Sequence, residues 1–581
     1  MFKIIKKAFK ITRVDKKYFV IFFFTSLLYA LIELFSIGLV VTFIVFLLNG
    51  PEKSNLPFKE YLPGDITFDE NLINYLLFFF LVVFILRFLV ILLLKYLETS
   101  LKKKISVSLV SQTFNNYLDQ SYEWYFSFGF NRLMVNILEN SRAIVDAVII
   151  RFFSILTSVV MLVMFISTVF FVNPIVVTMI VALLGLIALT IYKIFSKKNQ
   201  RIGERLLKYS NLTYSFARSA LESFTTIKVL NKKDYFLNKF AGSYLGMSDQ
   251  IRQSEMVREI ARVLLELIFI ILIFLCLFLS FKVNDSNFLE LENLMFFSLI
   301  FLRSLPHIYN ILNYSKEVKR YKAAVNSVSN IQYELIGKNN LAKLDSFKKI
   351  SFKNVKYDYK TDKTFDFEVS LDFEKGKSYA IVGLSGSGKT TLCNLLMGLL
   401  KPKSGKITID NKKLDDLDLN FMSYVPQRSF LVPDTFEKNV SLSDIEEEKN
   451  KLLKSLDASN LKGVYDRYGE KIDNFYGNEI NLSSGEIQRL SIARSLYSES
   501  KILVLDEPTS NLDAINENKF MDILNKIDDD ITIIMITHKI NLIKEFDQIL
   551  FIDKGRCISR GKYGELKNKC DKFKSMININ S

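Results

Sequence analysis

The segment Gly383-Leu384-Ser385-Gly386-Ser387-Gly388-Lys389-Thr390-Thr391 follows an apolar run and precedes a helical one. Its glycines let backbone N–H groups curl around a phosphate chain, with Ser385 and Ser387 on the same loop. Lys389 then supplies a point charge to the β and γ phosphates, Thr390 offers its hydroxyl to Mg²⁺, and Thr391 continues into the helix.

A second segment, Ile502-Leu-Val-Leu-Asp506-Glu507, reads as a buried strand that ends in adjacent carboxylates. Strand alternation sends neighbouring side chains to opposite faces, but at a strand end both can reach a nucleotide. Asp506 is then expected to hold Mg²⁺ through water, and Glu507 to polarise the attacking water. The chain has 2 histidines, and His538 ends the next apolar run, Ile531 to Thr537.

These residues sit in a chain of 581, of which 50% are hydrophobic and 24% charged, with 51 Phe and 9 Pro. Mean hydropathy is +0.20. Residues 18–312 hold almost all the long apolar runs and residues 340–581 read as an ordinary α/β domain, which excludes a secreted protein and a wholly soluble enzyme. The 4 cysteines are scattered and read as reduced. The +15 net charge flanks apolar segments and argues for a membrane surface over nucleic acid.

The first 17 residues carry seven Lys or Arg against one Asp before the apolar run Tyr18 to Leu48 begins without a small-residue cleavage site, which predicts an uncleaved first span. Six segments are long enough to cross a bilayer: 18–48, 72–97, 143–172, 175–195, 262–283 and 288–312. The basic N-terminus places that end and the C-terminal domain in the cytoplasm, on the inner membrane, with the 49–71 loop outside. Polar connectors between spans 2 and 3 and between spans 4 and 5 keep helical periodicity and are expected to run on as helices, turning at Tyr122–Phe130 and near Phe224–Tyr235. The expected domains are a six-helix membrane domain at 1–315, a linker at 316–345 and a P-loop ATPase at 346–581. In the last, apolar runs at Ser378–Val382, Tyr424–Val425, Ile502–Leu505 and Ile531–Ile536 predict a mainly parallel sheet.

With Leu482-Ser483-Ser484-Gly485-Glu486 followed by Gln488 and Arg489, the chain resembles an ATP-binding cassette (ABC) exporter half-transporter over essentially its full length. The resemblance implies a homodimer binding ATP with Mg²⁺. It implies that Tyr359 stacks on adenine, that Gln427 links Mg²⁺ and water to the membrane helices, and that His538 senses the γ phosphate. Ser510-Asn-Leu-Asp513 is the matching dimer-contact loop, and Ser483, Ser484, Gly485 and Glu486 match the signature that caps the other copy's γ phosphate. The family's usual signature reads LSGGQ, so Ser484 adds a side chain where backbone approach is close, and the acidic residue usual just upstream is displaced. With Glu507, Gln427 and His538 all present, hydrolysis is expected.

Glu33, Arg87, Arg151, Glu266 and Arg303 fall inside spans, and Arg262 opens span 5. Such charges cost roughly 2.5–3.5 kcal/mol each at a helix centre and should face protein or water. Arg262 and Glu266 are four apart and are placed to pair. Arg87 and Arg303 lie about 15 residues in from the outer ends of spans 2 and 6, roughly 22 Å by helical rise. Arg87, Arg262 and Arg303 thus fall in the inner half, where forked guanidinium donors suit an anionic head group such as a diphosphate. The segments around Glu33, Arg87, Arg262–Glu266 and Arg303–Pro306 resemble bacterial flippases for lipid-linked oligosaccharides, and Phe58–Leu62 resembles their short external helix. His307 is expected to pack. The resulting expectation is ATP-driven movement of a polyprenyl-diphosphate glycan or similar anionic amphiphile from the inner to the outer leaflet. Export of drugs, lipids or peptides is the alternative, and an ATP-gated channel or regulator is the alternative from another class.

Overall fold

The computed structural model describes residues 1–49, 70–172, 174–282, 291–331, 342–344, 346–359, 362–443, 448–468, 482–510 and 514–580. Asp513, the Phe58–Leu62 segment and the stretch just upstream of Leu482 lie outside them. The chain divides into two compact units, Met1–Gln120 with Trp124–Ile336, and Ser121–Glu123 with Gly337–Ser581.

The first unit is helical. Helix α1 (Phe2–Thr12) buries Ile5, Ala8 and Ile11, which recur at helical spacing, and ends where Arg13 adopts a left-handed φ of 49° and returns its N–H to Phe9. Long helices follow: α2 (Lys16–Asn49), α3 (Glu70–Leu118), α4 (Arg151–Val172), α5 (Pro174–Glu222), α6 (Lys233–Lys282) and α7 (Leu291–Arg320). A shorter helix, α8 (Lys322–Ile331), comes after them. The polar connectors continue α3, α5 and α6 as helix without a break, so α5 and α6 reach 49 and 50 residues. At 1.5 Å per residue each is about 75 Å long.

Among the described residues, three stretches are long and apolar enough to cross a membrane: Lys16–Val40, Leu77–Leu118 and Phe130–Phe170. The last contains π-helical turns at Val135–Asn140 and Val145–Ile150, a widening that apolar periodicity does not announce. Aromatic packing closes the core beside α1: Phe9, Phe19, Phe22, Phe152 and Phe153 meet with ring centroids 4.6–6.3 Å apart. Gly203 permits the close crossing of α5 and α7, because a Cβ there would stand 2.1 Å from the carbonyl oxygen of Arg320.

The second unit holds two sheets. Strands β1 (Lys349–Tyr359), β2 (Asp362–Glu374), β4 (Ser404–Ile409) and β5 (Lys412–Lys413) form an antiparallel sheet in the order β2-β1-β4-β5. The other sheet has the order β10-β9-β3-β8-β7-β6, from β3 (Ser378–Val382), β6 (Met422–Val425), β7 (Ile502–Asp506), β8 (Thr532–Ile536), β9 (Gln548–Asp553) and β10 (Arg556–Gly561). The four apolar runs singled out in the sequence are its neighbours β3, β8, β7 and β6, all parallel. β7 and β8, in the middle of the sheet, read as nearly continuous Ile, Leu, Val and Met because both of their faces are covered, whereas the edge strand β6 is Met-Ser-Tyr-Val with only Val425 buried. Only β10 runs antiparallel to its neighbour in this sheet, among the described residues. The parallel order brings the C-terminal ends of β3, β7 and β8 together, where open α/β sheets place ligands.

Candidate nucleotide and ion-pair sites

Gly383–Gly388 leaves the end of β3 and opens α9 (Lys389–Leu396). Gly386 and Gly388 take φ of 75° and 106°, open to glycine and costly for other residues. At Gly383 the constraint is approach: a Cβ would lie 2.1 Å from the carbonyl oxygen of Ile552 on β9 and 2.7 Å from Ser387 Oγ. Lys389 folds back over the loop, its ammonium donating to the carbonyls of Gly383 and Leu384 at 3.0 Å each. Burial lowers its pKa, while Glu507 and Asp506 oppose the shift. Ser385, Gly386 and Thr390 are exposed along the loop, and Ser387 is buried with its hydroxyl unpartnered. Tyr359, from the end of β1, places its hydroxyl 3.1 Å from that of Thr391.

Asp506 ends β7, and burial raises its carboxyl pKa. Tyr424 on β6 donates a hydrogen bond to it at 3.1 Å, a contact that motif reading does not supply. Glu507 resolves the alternation problem in a specific way. Its φ is 46°, in the left-handed region, and its N–H donates to the carbonyl of Ile536 at 3.0 Å. The chain thus turns immediately after the strand instead of continuing the pleat. Gln427 Nε2 donates to Glu507 Oε2 at 2.8 Å, and His538 Nε2 lies 2.7 Å from Glu507 Oε1. The sequence-chosen Gln427, Glu507 and His538 are therefore one connected group. The hydroxyl, carboxylate and amide oxygens of Thr390, Asp506 and Gln427 form a hard-oxygen donor set, which fits Mg²⁺.

The signature residues form a helix start. Ser483 is the N-cap of α10 (Ser484–Tyr497): its hydroxyl accepts from Glu486 N–H at 3.3 Å, and Glu486 Oε2 accepts from Ser483 N–H at 2.7 Å. Ser484 is exposed at the first turn, and Gly485 is buried. Glu486 thus has a local role, reinforced by Arg467 at 3.6 Å. Within this chain no hydrogen bond joins Ser483–Glu486 to Gly383–Thr391, among the described residues. The connector residues Ser121–Glu123 belong to the second unit, where Glu123 accepts from the Tyr357 hydroxyl at 2.7 Å and Asn394 donates to the Tyr122 hydroxyl at 3.4 Å. Sequence reading placed a turn here and missed these contacts.

In the helical unit Arg87 and Arg303 converge and Arg262 stands apart. Glu33 on α2 is 2% exposed. It accepts from Arg87 Nε and, at 3.0 Å, from an Arg87 terminal nitrogen, while Arg303 Nε lies 3.6 Å away. Arg262 instead pairs along its own helix with Glu266 at 3.0 Å and Glu259 at 3.9 Å. Arg151 pairs with Glu317 at 3.2 Å. His307 packs edge-on to Phe165, 6.1 Å between centroids, as a packing residue should.

Residues 18–305 match the profile of the ABC transporter transmembrane region, and residues 367–510 match that of the ABC transporter. The lactococcin-G processing and transport ATP-binding protein of Lactococcus lactis is 28% identical over 374 residues, 62% of this chain and 52% of that protein. An ATP-dependent lipid A-core flippase of Neisseria meningitidis serogroup A is 34% identical over 240 residues, 40% of this chain and 38% of that protein. The chain thus spans about half or less of the curated relatives it matches. A solved bacterial Atm1-family ABC exporter with ATP bound shares the fold at a TM-score of 0.79 and 17% identity, covering 98% of this chain and 99% of that one. A membrane region and a nucleotide domain on one polypeptide, each matching its own profile, place this chain in the ABC transporter family as a half-transporter.

Proposed function

We propose that the chain is an ATP-driven exporter that works as a pair of copies and moves an anionic lipid-linked amphiphile, such as a polyprenyl-diphosphate glycan, from the inner to the outer leaflet. The observation that carries the ATPase reading is the Gln427–Glu507–His538 group at the end of the parallel sheet, beside the phosphate loop. Glu507 polarises the attacking water, Gln427 and His538 hold its two oxygens, and Lys389 turns from its loop carbonyls to the β and γ phosphates. When bound, Mg²⁺ supplies charge neutralisation between those phosphates. Ser483 and Gly485, at the start of α10, face the γ phosphate of a second copy. Tyr359 stacks on the adenine, and Asp513 contacts the partner. The intact Glu507 group favours turnover over a channel that only binds ATP.

The substrate reading rests on the arginines gathered at Glu33 within the helical unit. Peptide export is the second reading. It is favoured by the lactococcin transporters, which align over 62–66% of this chain while the lipid A-core flippases align over 40%. Reconstitution in liposomes decides between them, with ATPase activity and translocation measured against polyprenyl-diphosphate glycans, phospholipids and peptides. Stimulation by peptides alone would replace the lipid reading.

A further inference from the structure

One edge strand serves two carboxylates. Tyr424 on β6 donates to Asp506 Oδ2 at 3.1 Å, and Gln427, two residues past the end of that strand, donates to Glu507 Oε2 at 2.8 Å. The two adjacent acids at the end of β7 are thus each held by one donor from the same neighbouring segment. Register explains the first contact. Tyr424 pairs with Val504 across the parallel β6–β7 ladder, and Asp506 lies two residues beyond Val504, so its side chain leaves the same face. With a rise of about 3.3 Å per residue and about 4.8 Å between strands, the diagonal from Tyr424 to Asp506 is about 8 Å between Cα atoms, which a tyrosine spans and a serine or threonine does not. Tyr424 is 41% exposed, so core packing does not account for an aromatic residue here.

A carboxylate that holds a metal through water must present one oxygen in a fixed direction. The terminal torsion of an aspartate is broad and roughly two-fold, so the side chain does not fix that direction by itself. Among the described residues, Tyr424 is the one hydrogen-bond donor to the Asp506 carboxylate. Its hydroxyl takes Oδ2 and leaves Oδ1 to a metal-bound water. A phenol also donates without bringing a positive charge, as Lys or Arg would, so the carboxylate keeps its full charge for the cation. We propose that Tyr424 is a positioning residue for the metal site: it fixes the orientation of Asp506 toward Mg²⁺, as Gln427 fixes that of Glu507 toward water. This rests on the reading of Asp506 as the residue that holds Mg²⁺.

The test is the affinity of the full chain in detergent for a fluorescent ATP analogue, measured with Mg²⁺ and again in EDTA, in Glu507→Gln protein to suppress hydrolysis. Mg²⁺ is expected to tighten binding in this parent. Tyr424→Phe keeps the ring and removes only the hydroxyl. Affinity with Mg²⁺ should then fall about tenfold, the lower end of what losing an outer-shell partner costs a metal site, while affinity in EDTA stays as in the parent. Asp506→Asn should lose the Mg²⁺-dependent gain outright, and Tyr424→Phe should add nothing on top of it. An undiminished Mg²⁺ gain in Tyr424→Phe, an equal loss in EDTA, or a further loss on top of Asp506→Asn overturns the inference alone. If Mg²⁺ does not tighten binding in the parent, or if Asp506→Asn keeps the full gain, the metal reading of Asp506 falls and the inference with it.

Discussion

His538 Nε2 lies 2.7 Å from Glu507 Oε1, so the Glu507 carboxylate is held from the turn after β8 as well as by its own strand. Gln427 holds the other oxygen at 2.8 Å. The expected consequence is that Glu507→Gln keeps ATP binding and lowers hydrolysis about 10²–10⁴-fold, the usual contribution of a positioned base. Nucleotide binding by fluorescence and phosphate release measured on one preparation separate the two effects. Lys389→Ala should lose nucleotide affinity instead, and wild-type turnover in Glu507→Gln would show the base to be another residue.

Ser483 and Glu486 cap α10 reciprocally. Ser483→Ala should lower the stability of the nucleotide domain by about 1 kcal/mol, the usual cost of a lost N-cap. Glu486→Gln retains an acceptor for the Ser483 N–H and should change it little. Thermal melting of both variants checks this, and equal losses would mean that the charge of Glu486, shared with Arg467, matters more than its capping bond.

Ser484 is exposed at the start of the same helix, outside the cap itself. Ser484→Gly is expected to raise ATPase activity and strengthen the ATP-bound pair of copies, because removing the side chain lets the backbone come closer to a phosphate. Unchanged turnover and unchanged association would show that the serine is tolerated.

Gly203 faces the Arg320 backbone, which cannot swing aside as a side chain end would. Gly203→Val should therefore part α5 from α7 and cost about 1–3 kcal/mol, as overpacking does. A melting temperature in detergent equal to that of the wild type would show that the crossing relaxes freely.

Lys316 lines a cavity of about 90 Å³ with Asn199, Ser254 and Arg320, and burial lowers its pKa to about 8. Its ordinary value is 10.5. Between about pH 8 and 10.5 the unfolded chain therefore binds more protons at this residue than the folded one, and stability should rise with pH across that window. Lys316→Met should be the more stable form below pH 8, and its advantage should shrink as pH approaches 10.5. Identical pH dependence of melting in both proteins would remove the assignment.

Much of this was legible in the sequence where chemistry demands fixed residue types. Gly386, Gly388 and Lys389 can be read directly because phosphate cradling requires left-handed backbone and a cation at set spacing. The central strands β7 and β8 can be read because burial on both faces makes them almost continuously apolar. The antiparallel sheet was less visible, since β1 and β2 alternate polar and apolar residues through bulges near Lys353 and Tyr357. Tyr424 was hidden because its bond to Asp506 depends on β6 lying beside β7, a pairing between segments about 80 residues apart. Sequence spacing found the Arg262–Glu266 pair, which is local. It did not find the assignment of Glu33 to Arg87 and Arg303, which depends on how three helices are rotated about their axes.

The unbroken lengths of α5 and α6 give the helical unit a mechanical property. A rod of about 75 Å that tilts by about 5° at one end carries its other end through roughly 6 Å. Slight repacking among apolar side chains is thereby converted into a displacement the size of a whole helical turn, with no residue along the rod having to unfold.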